Sequence, residues 1–286
     1  MRAHRSERRR VVKRQQVANA AVMLLTALGA VLVLFPIFWM VLASVRPVLE
    51  VLAYPPQWIP KHLTLEYYRQ LFDSNEYVQY LKNSYIIATG TTLWSLLLAL
   101  LAAYGFSRYK VPGGRAILLA MLALYMMPGV SLVLPYFRIS MSLHLYDTRL
   151  GLILAYSSFV LPMATWLLKG YMDSIPFDLE EAALVDGATR LGALRRILLP
   201  LIAPGLVATG TMGFLSAWNE FFFAVVLTTS IKAQTLTVGI GRFFGQYNRD
   251  WNGIMALTTF ASLPILLGFV LVQRWVVQGM TAGAVK

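Results

Sequence analysis

Six stretches of this sequence contain no aspartate, glutamate, lysine or arginine, and they govern what the chain can fold into. They run from Gln15 to Val45, Asn83 to Ser107, Ala116 to Phe137, Leu150 to Leu168, Ile197 to Asn219 and Trp251 to Gln273. A helix that crosses the hydrocarbon core of a bilayer needs about 20 mostly apolar residues, and every window reaches or nearly reaches that length. The hydrophobicity is continuous rather than alternating with period two, which argues against a membrane β-barrel. The sequence therefore predicts an all-α integral membrane protein with six transmembrane helices. The apolar part of the first window, Val17 to Val45, exceeds the ~7–15 residues of a signal-peptide core and reads as a retained span.

Composition agrees. Hydrophobic residues make up 58% of the chain and charged ones 13%, against about 25% charged in an ordinary soluble domain. A single soluble core of this size could not hide so much apolar surface. The chain has no cysteine, which removes disulfides, thiolate metal sites and cysteine nucleophiles.

The charge pattern sets an expected orientation. Arg2, Arg5, Arg8, Arg9, Arg10, Lys13 and Arg14 precede the first window, opposed only by Glu7. With that segment inside, cytoplasmic segments hold most of the basic residues, so both termini are expected in the cytoplasm. The arginine cluster then reads as a topology anchor, with a nucleic-acid arm or a lipid site as the rival. The expected partition is a basic cytoplasmic tail over 1–16, a six-span domain over 17–275 enclosing a cytoplasmic loop over 173–204, and a second cytoplasmic tail over 276–286.

Chemistry-bearing motifs are scarce. None of the lysines follows a glycine, so a P-loop is absent. His4, His62 and His144 are scattered, and neither H-E-x-x-H nor G-x-S-x-G occurs. The chain is expected to be no enzyme and to bind no metal or cofactor. Glu220 is the one ionisable residue near a span interior. Intramembrane charges mark ion or substrate paths, and a secondary transporter would usually show several. The second span carries Thr91, Ser95, Ala99 and Ala103 four residues apart, a small-residue seam suited to close helix packing, either within the chain or against a partner.

The informative loop is Asp173–Pro204. Ser174 is placed to cap a helix whose first turn holds Pro176 and Asp178, with Glu180 and Glu181 close behind. Gly187 supplies a stop, and Thr189 is placed to cap a second helix from Arg190 to Leu199. The expected product is a helical hairpin outside the bilayer. Its tip shows small residues edged by carboxylates, a shape suited to insertion into a partner's groove; the alternative is a capped surface hairpin with no partner.

The run Glu181-Ala182-Ala183-x-x-Asp186-Gly187-Ala188, followed by Ile197-x-x-Pro200-Leu201-x-x-Pro204, resembles the EAA loop of ABC-importer permeases. Asn83-Ser84, the segment Ala103 to Arg108, Ile175-Pro176, Trp218-Asn219-Glu220 and the ending Gly279 to Lys286 extend the resemblance. The most similar group is the second permease subunit of maltose-type carbohydrate importers. The resemblance implies a multi-pass protein of the cell (inner, cytoplasmic) membrane. It implies a homologous second permease, two ABC ATPase subunits carrying ATP and Mg, and an extracellular solute-binding protein that delivers a carbohydrate, with no nucleic acid involved. Glu181, Ala182, Ala183, Asp186, Gly187 and Ala188 would couple the chain to an ATPase subunit, and the last outer loop, within Thr229–Asp250, would reach the binding protein. The family's best-mapped sugar contacts lie largely on the partner permease, so none is expected in the spans of this chain. The alternatives are a permease for glycerol phosphate, a polyol or a peptide, or a secondary transporter.

Overall fold

A computed structural model of the chain describes residues 2–243 and 251–282. Residues 244–250, within the last outer loop, and 283–286, the end of the C-terminal motif, lie outside the described residues, as do the side chains of 1–14, 16–18 and 276–282, His4 among them. All the described secondary structure is helical. The order is α1 (Arg2–Ser44), α2 (Val48–Val51), α3 (Glu66–Asp73), α4 (Asn75–Arg108), α5 (Gly114–Tyr125), α6 (Gly129–Ser142), α7 (Arg149–Asp173) and α8 (Asp178–Val185). Then come α9 (Arg190–Ala193), a π turn (Leu194–Leu198), α10 (Leu199–Trp218), α11 (Phe222–Leu227), α12 (Leu236–Arg242) and α13 (Trp251–Ala282).

Five of the six uncharged windows lie in helices long and apolar enough to cross a bilayer: α1, α4, α7, the run through α9 and α10, and α13. The third window is different. It is two helices, α5 and α6, bent by 98° at a short break. Proline explains the break: Pro128 has no N–H to donate, and it disfavours helical geometry at Met127 before it. Pro128 has φ −63° and ψ 120° and starts α6 from an extended conformation. Pro36, Pro135, Pro162, Pro204 and Pro264 are accommodated inside helices, as membrane helices permit when freed backbone groups find other partners. The basic residues ahead of the first span are part of the same helix, since α1 is unbroken from Arg2.

The chain divides into two compact units, residues 1–69 with 250–259 and residues 70–249 with 260–286. In the first, Arg46 organises the turn after α1. Its guanidinium donates to the carbonyls of Gln57 (2.6 Å) and Trp58 (2.7 Å) and lies 5.3 Å from the centre of the Trp39 ring. Asn252 donates to the carbonyls of Ala43 and Arg46 at 3.1 and 2.7 Å. The Pro-rich stretch around Trp58 is therefore held by its backbone as well as by the Trp58 ring. The apolar window of α1 buries none of its residues.

The second unit is built on α4, α7 and α10. The seam read in the sequence packs within the chain: Thr91, Ser95, Ala99 and Ala103 are all fully buried, and the two alanines join Ala164, Leu168, Met172, Leu194, Leu198 and Ile202 in one cluster. Small residues let the helices approach closely. α10 and α7 approach closely at Gly205, where an added Cβ would lie 2.4 Å from the Tyr171 ring. Gly205→Ala is accordingly expected to destabilise the solubilised protein by about 1–3 kcal/mol through overpacking, read as a lower midpoint in thermal unfolding. Gly268→Ala, where an added Cβ meets nothing within 4 Å, is the matched control and should leave the midpoint within error.

Candidate functional site

The loop after α7 holds α8, a turn and a second arm, and it departs from the sequence expectation in two places. Ser174 ends α7 instead of starting α8: its Oγ donates to the Tyr171 carbonyl at 2.7 Å. Phe177 precedes α8 without a side-chain cap. The reason is Pro176, which sets a turn between the two helices and leaves Ser174 one turn too early. The second arm is also no separate helix. Thr189 caps it as expected, its Oγ1 accepting from Gly192 N–H at 3.1 Å. The arm then passes through the π turn directly into α10, and Pro200 follows just after that turn.

The turn between the arms is a complete Schellman motif. Ala188 N–H bonds the Ala183 carbonyl at 2.9 Å and Gly187 N–H bonds the Leu184 carbonyl at 3.1 Å. Gly187 has φ +86°, the left-handed geometry in which glycine carries no Cβ penalty.

The hairpin is fixed to the end of α4 by a buried ion pair. Glu180 is 3% exposed. One of its oxygens accepts from Arg108 Nε at 3.0 Å, the other from the Tyr104 hydroxyl at 2.5 Å. Arg108 also donates to the Ile175 carbonyl at 3.2 Å and lies over the Phe177 ring. Beside it, Ser107 Oγ donates to Asp173 (2.7 Å) and Lys169 pairs with the same carboxylate (2.5 Å). Arg190 of the second arm lies 5.1 Å from the Tyr109 ring centre. The buried charges are thus paired and hydrogen-bonded, the condition under which ions are tolerated away from water. α4, α7, α8 and the arm leading to α10 are clasped at one point.

Of the residues singled out in the sequence, Glu181, Ala182, Asp186 and Gly187 are exposed, Ala188 is half-buried and Ala183 is buried beneath the helix. The exposed face has more to it than small residues and acids. Val185 is 87% exposed and Leu191 70%. These two, and the Arg108–Glu180–Tyr104 clasp, are additions to the set read from the sequence. Tyr104 and Arg108 lie four residues apart and so share one face of α4. That spacing is the one sequence hint for the clasp.

The opposite end of the unit is also built from polar anchors. Asn83 donates to the carbonyls of Ile231 and Gln234, both at 2.8 Å, and accepts from Arg149 Nε at 2.9 Å. Ser84 Oγ accepts from Leu236 N–H at 2.8 Å. Asp147 accepts from the N–H groups of Thr229 and Ser230. Partial burial pushes its carboxyl up, but these hydrogen bonds and the charge of Lys232 outweigh that and leave it below the usual carboxylate range. Glu220, just past the end of α10, accepts from Phe223 N–H (3.0 Å) and Ala224 N–H (3.1 Å). Its oxygens are taken up in satisfying the first turn of α11.

The chain resembles known proteins in both sequence and fold. Residues 95–282 match the family described as binding-protein-dependent transport system inner membrane component. The chain is 37% identical to the trehalose/maltose transport system permease protein MalG of Thermococcus litoralis, over 96% of this chain and 99% of the relative. It is 32% identical to the diacetylchitobiose uptake system permease protein DasC of Streptomyces coelicolor, over 88% and 91% of the two chains. Among solved structures, a chain of a bacterial ABC transporter that imports the acidic polysaccharide alginate superposes with a TM-score of 0.77, at 20% identity, over 91% of this chain and 96% of that one.

Proposed function

Because the chain belongs to the binding-protein-dependent transport system inner membrane components, we propose that it is the transmembrane permease subunit of an ATP-binding-cassette importer and that its cargo is a carbohydrate. The relatives named for trehalose, maltose and diacetylchitobiose support the cargo class. The hairpin is the ATPase-docking element. Its exposed tip, Glu181, Ala182, Val185, Asp186 and Leu191, enters a groove of one ATPase subunit, and the aliphatic side chains supply the buried area. ATP and Mg are held by the ATPase pair. A homologous permease completes the pathway, and an extracellular binding protein docks at the end built on Asn83, Ser84 and Asp147.

One observation carries the mechanical part: the Arg108–Glu180 clasp ties the hairpin to α4 while its second arm continues into α10. A displacement of the tip therefore moves two span helices directly. Closure of the ATPase pair then becomes a change in the packing of α4, α7 and α10, which is what alternating access requires. In this arrangement the termini and the hairpin are cytoplasmic and the membrane is the inner one.

The test uses the cysteine-free chain in its assembled form. Affinity purification is expected to recover a P-loop ATPase and a second permease, and Glu181→Lys should reduce ATPase recovery about fivefold or more through charge reversal at the contact. A cysteine at Thr229 should react with an impermeant thiol reagent from outside, and one at Asp186 should react only after permeabilisation. Purification without any ATPase, or labelling with the reverse sidedness, would overturn the reading.

A further inference from the structure

Where α4 and α7 end and α5 begins, on the side of the hairpin, the three helices leave an open groove of about 630 Å³. It straddles the boundary of three uncharged windows. The window in α4 closes at Ser107, the one in α5 opens at Ala116 and the one in α7 closes at Leu168. Lys110, Arg115 and Lys169 line the groove on one side of that boundary, and Phe106, Leu119 and Trp166 line it on the other. The change falls within about one turn of helix. Arg115 and Leu119 are four residues apart and Trp166 and Lys169 three apart, so each pair shares a helix face. The groove thus spans the level where hydrocarbon gives way to headgroups, and an exposed tryptophan suits that level.

Its charge is unbalanced. Asp173 is the one acid in the lining, and it is already held by Lys169 at 2.5 Å and by Ser107 at 2.7 Å. Lys110 and Arg115 have no acidic partner among the described residues. The first turn of α5, at the rim of the groove, has no acid and no side-chain cap, so its N–H groups add to the positive field. Two exposed cations alone would be content in water. What calls for a ligand is their place above a wall of apolar side chains, with Leu119 53% and Trp166 45% exposed. A soluble anion satisfies the cations and leaves the wall bare, and a neutral lipid does the reverse. Gly170 keeps the groove open, since an added Cβ there meets nothing within 4 Å.

We propose that this groove binds one anionic phospholipid, its headgroup phosphate held between Lys110 and Arg115 and the first part of an acyl chain laid against Leu119 and Trp166. Basic pockets between membrane helices hold such headgroups, and the volume lies within the range of about 300–1,000 Å³ found for small-molecule sites. The site requires only that the uncharged windows lie in the bilayer. It is independent of the cargo, and Val185 and Leu191 of the hairpin tip are not in its lining, so it stays open when the hairpin is docked.

The test uses the assembled transporter and, in parallel, the permease purified without ATPase subunits, so that a failure of the importer reading leaves the second arm intact. Delipidated protein is mixed with equal amounts of phosphatidylglycerol and phosphatidylcholine carrying the same acyl chains, and the retained lipid is counted by mass spectrometry. Both preparations should retain phosphatidylglycerol over phosphatidylcholine by about tenfold, and Lys110→Gln combined with Arg115→Gln should bring that ratio close to one. Lys82→Gln combined with Arg138→Gln removes the same charge from exposed positions outside the groove and should keep the wild-type ratio. Gly170→Leu fills the groove and should lower the ratio severalfold. Its unfolding midpoint should stay at or above that of the wild type, because the added Cβ is unobstructed and leucine favours a helix more than glycine does. Excess inorganic phosphate should not displace the lipid. A wild-type ratio near one, an equal loss in the two double variants, or a ratio unchanged in Gly170→Leu would overturn the assignment. So would displacement by phosphate, the result expected of a free-anion site, or loss of the preference only when the ATPase subunits are bound, the result expected if a partner fills the groove.

Discussion

Arg108→Ala is expected to lower uptake by the assembled transporter tenfold or more while the chain still reaches the membrane. Removing the guanidinium leaves the Glu180 carboxylate buried with only the Tyr104 hydroxyl beside it. Breaking one side of a buried pair typically destabilises by about 3–5 kcal/mol, because an uncompensated charge remains. The chain can relieve that by letting Glu180 swing out to water, and this detaches α8 from α4. The hairpin would still exist, held by its own Schellman turn and the Thr189 cap, but it would no longer move α4. Arg108→Lys keeps the charge but loses the forked reach to the Ile175 carbonyl, and should fall between wild type and the alanine variant. Combining Arg108→Met with Glu180→Leu removes both charges and should recover most of the thermal stability lost in Arg108→Ala. Uptake in membrane vesicles and thermal unfolding of the purified permease are the measurements. A wild-type uptake rate in Arg108→Ala would show that the clasp carries no motion.

Gly187→Val is expected to abolish ATPase recovery while changing the permease itself very little. At φ +86° a β-branched residue is strained by roughly 1–2 kcal/mol. An added Cβ meets nothing within 4 Å inside the chain, so the isolated permease should lose only that strain, seen as a small fall in its unfolding midpoint. The large effect belongs to the complex, where the added bulk stands at the docking tip. Asparagine adopts the left-handed geometry more readily than other residues. The expected order of ATPase recovery is therefore glycine, asparagine, alanine, valine. If recovery instead followed the unfolding midpoint of the isolated permease, the defect would lie in folding and not in docking.

The positions of five long apolar helices are legible in the sequence because the bilayer imposes one simple demand, about twenty uncharged residues at a time. The hairpin was legible because its turn chemistry is local: Gly187 and Thr189 act on neighbours within five residues. What the sequence did not show is long-range. Glu180 and Glu181 look alike in the chain, yet one is buried against α4 and the other faces outward. Only the approach of Arg108, 72 residues away, tells them apart. The same holds for Asn83 and Ser84, whose partners lie about 150 residues on. Ser174 was misjudged as a cap because Pro176 shifts the start of α8 by a few residues, and helix ends are set by such small competitions. The bend between α5 and α6 was half legible. Pro128 signals a break, but a proline alone does not distinguish a gentle kink from a 98° turn.

The docking claim is tested most directly at Val185, the most exposed large hydrophobic side chain on the hairpin at 87%. A single cysteine placed there, in a chain that has no other, should react quickly with a thiol reagent on the isolated permease and be shielded at least tenfold when the ATPase subunits are bound. A cysteine at Thr229 should react equally in both states. Equal reactivity at position 185 with and without the ATPase subunits would contradict the account, because the hairpin would then face water and not its partner.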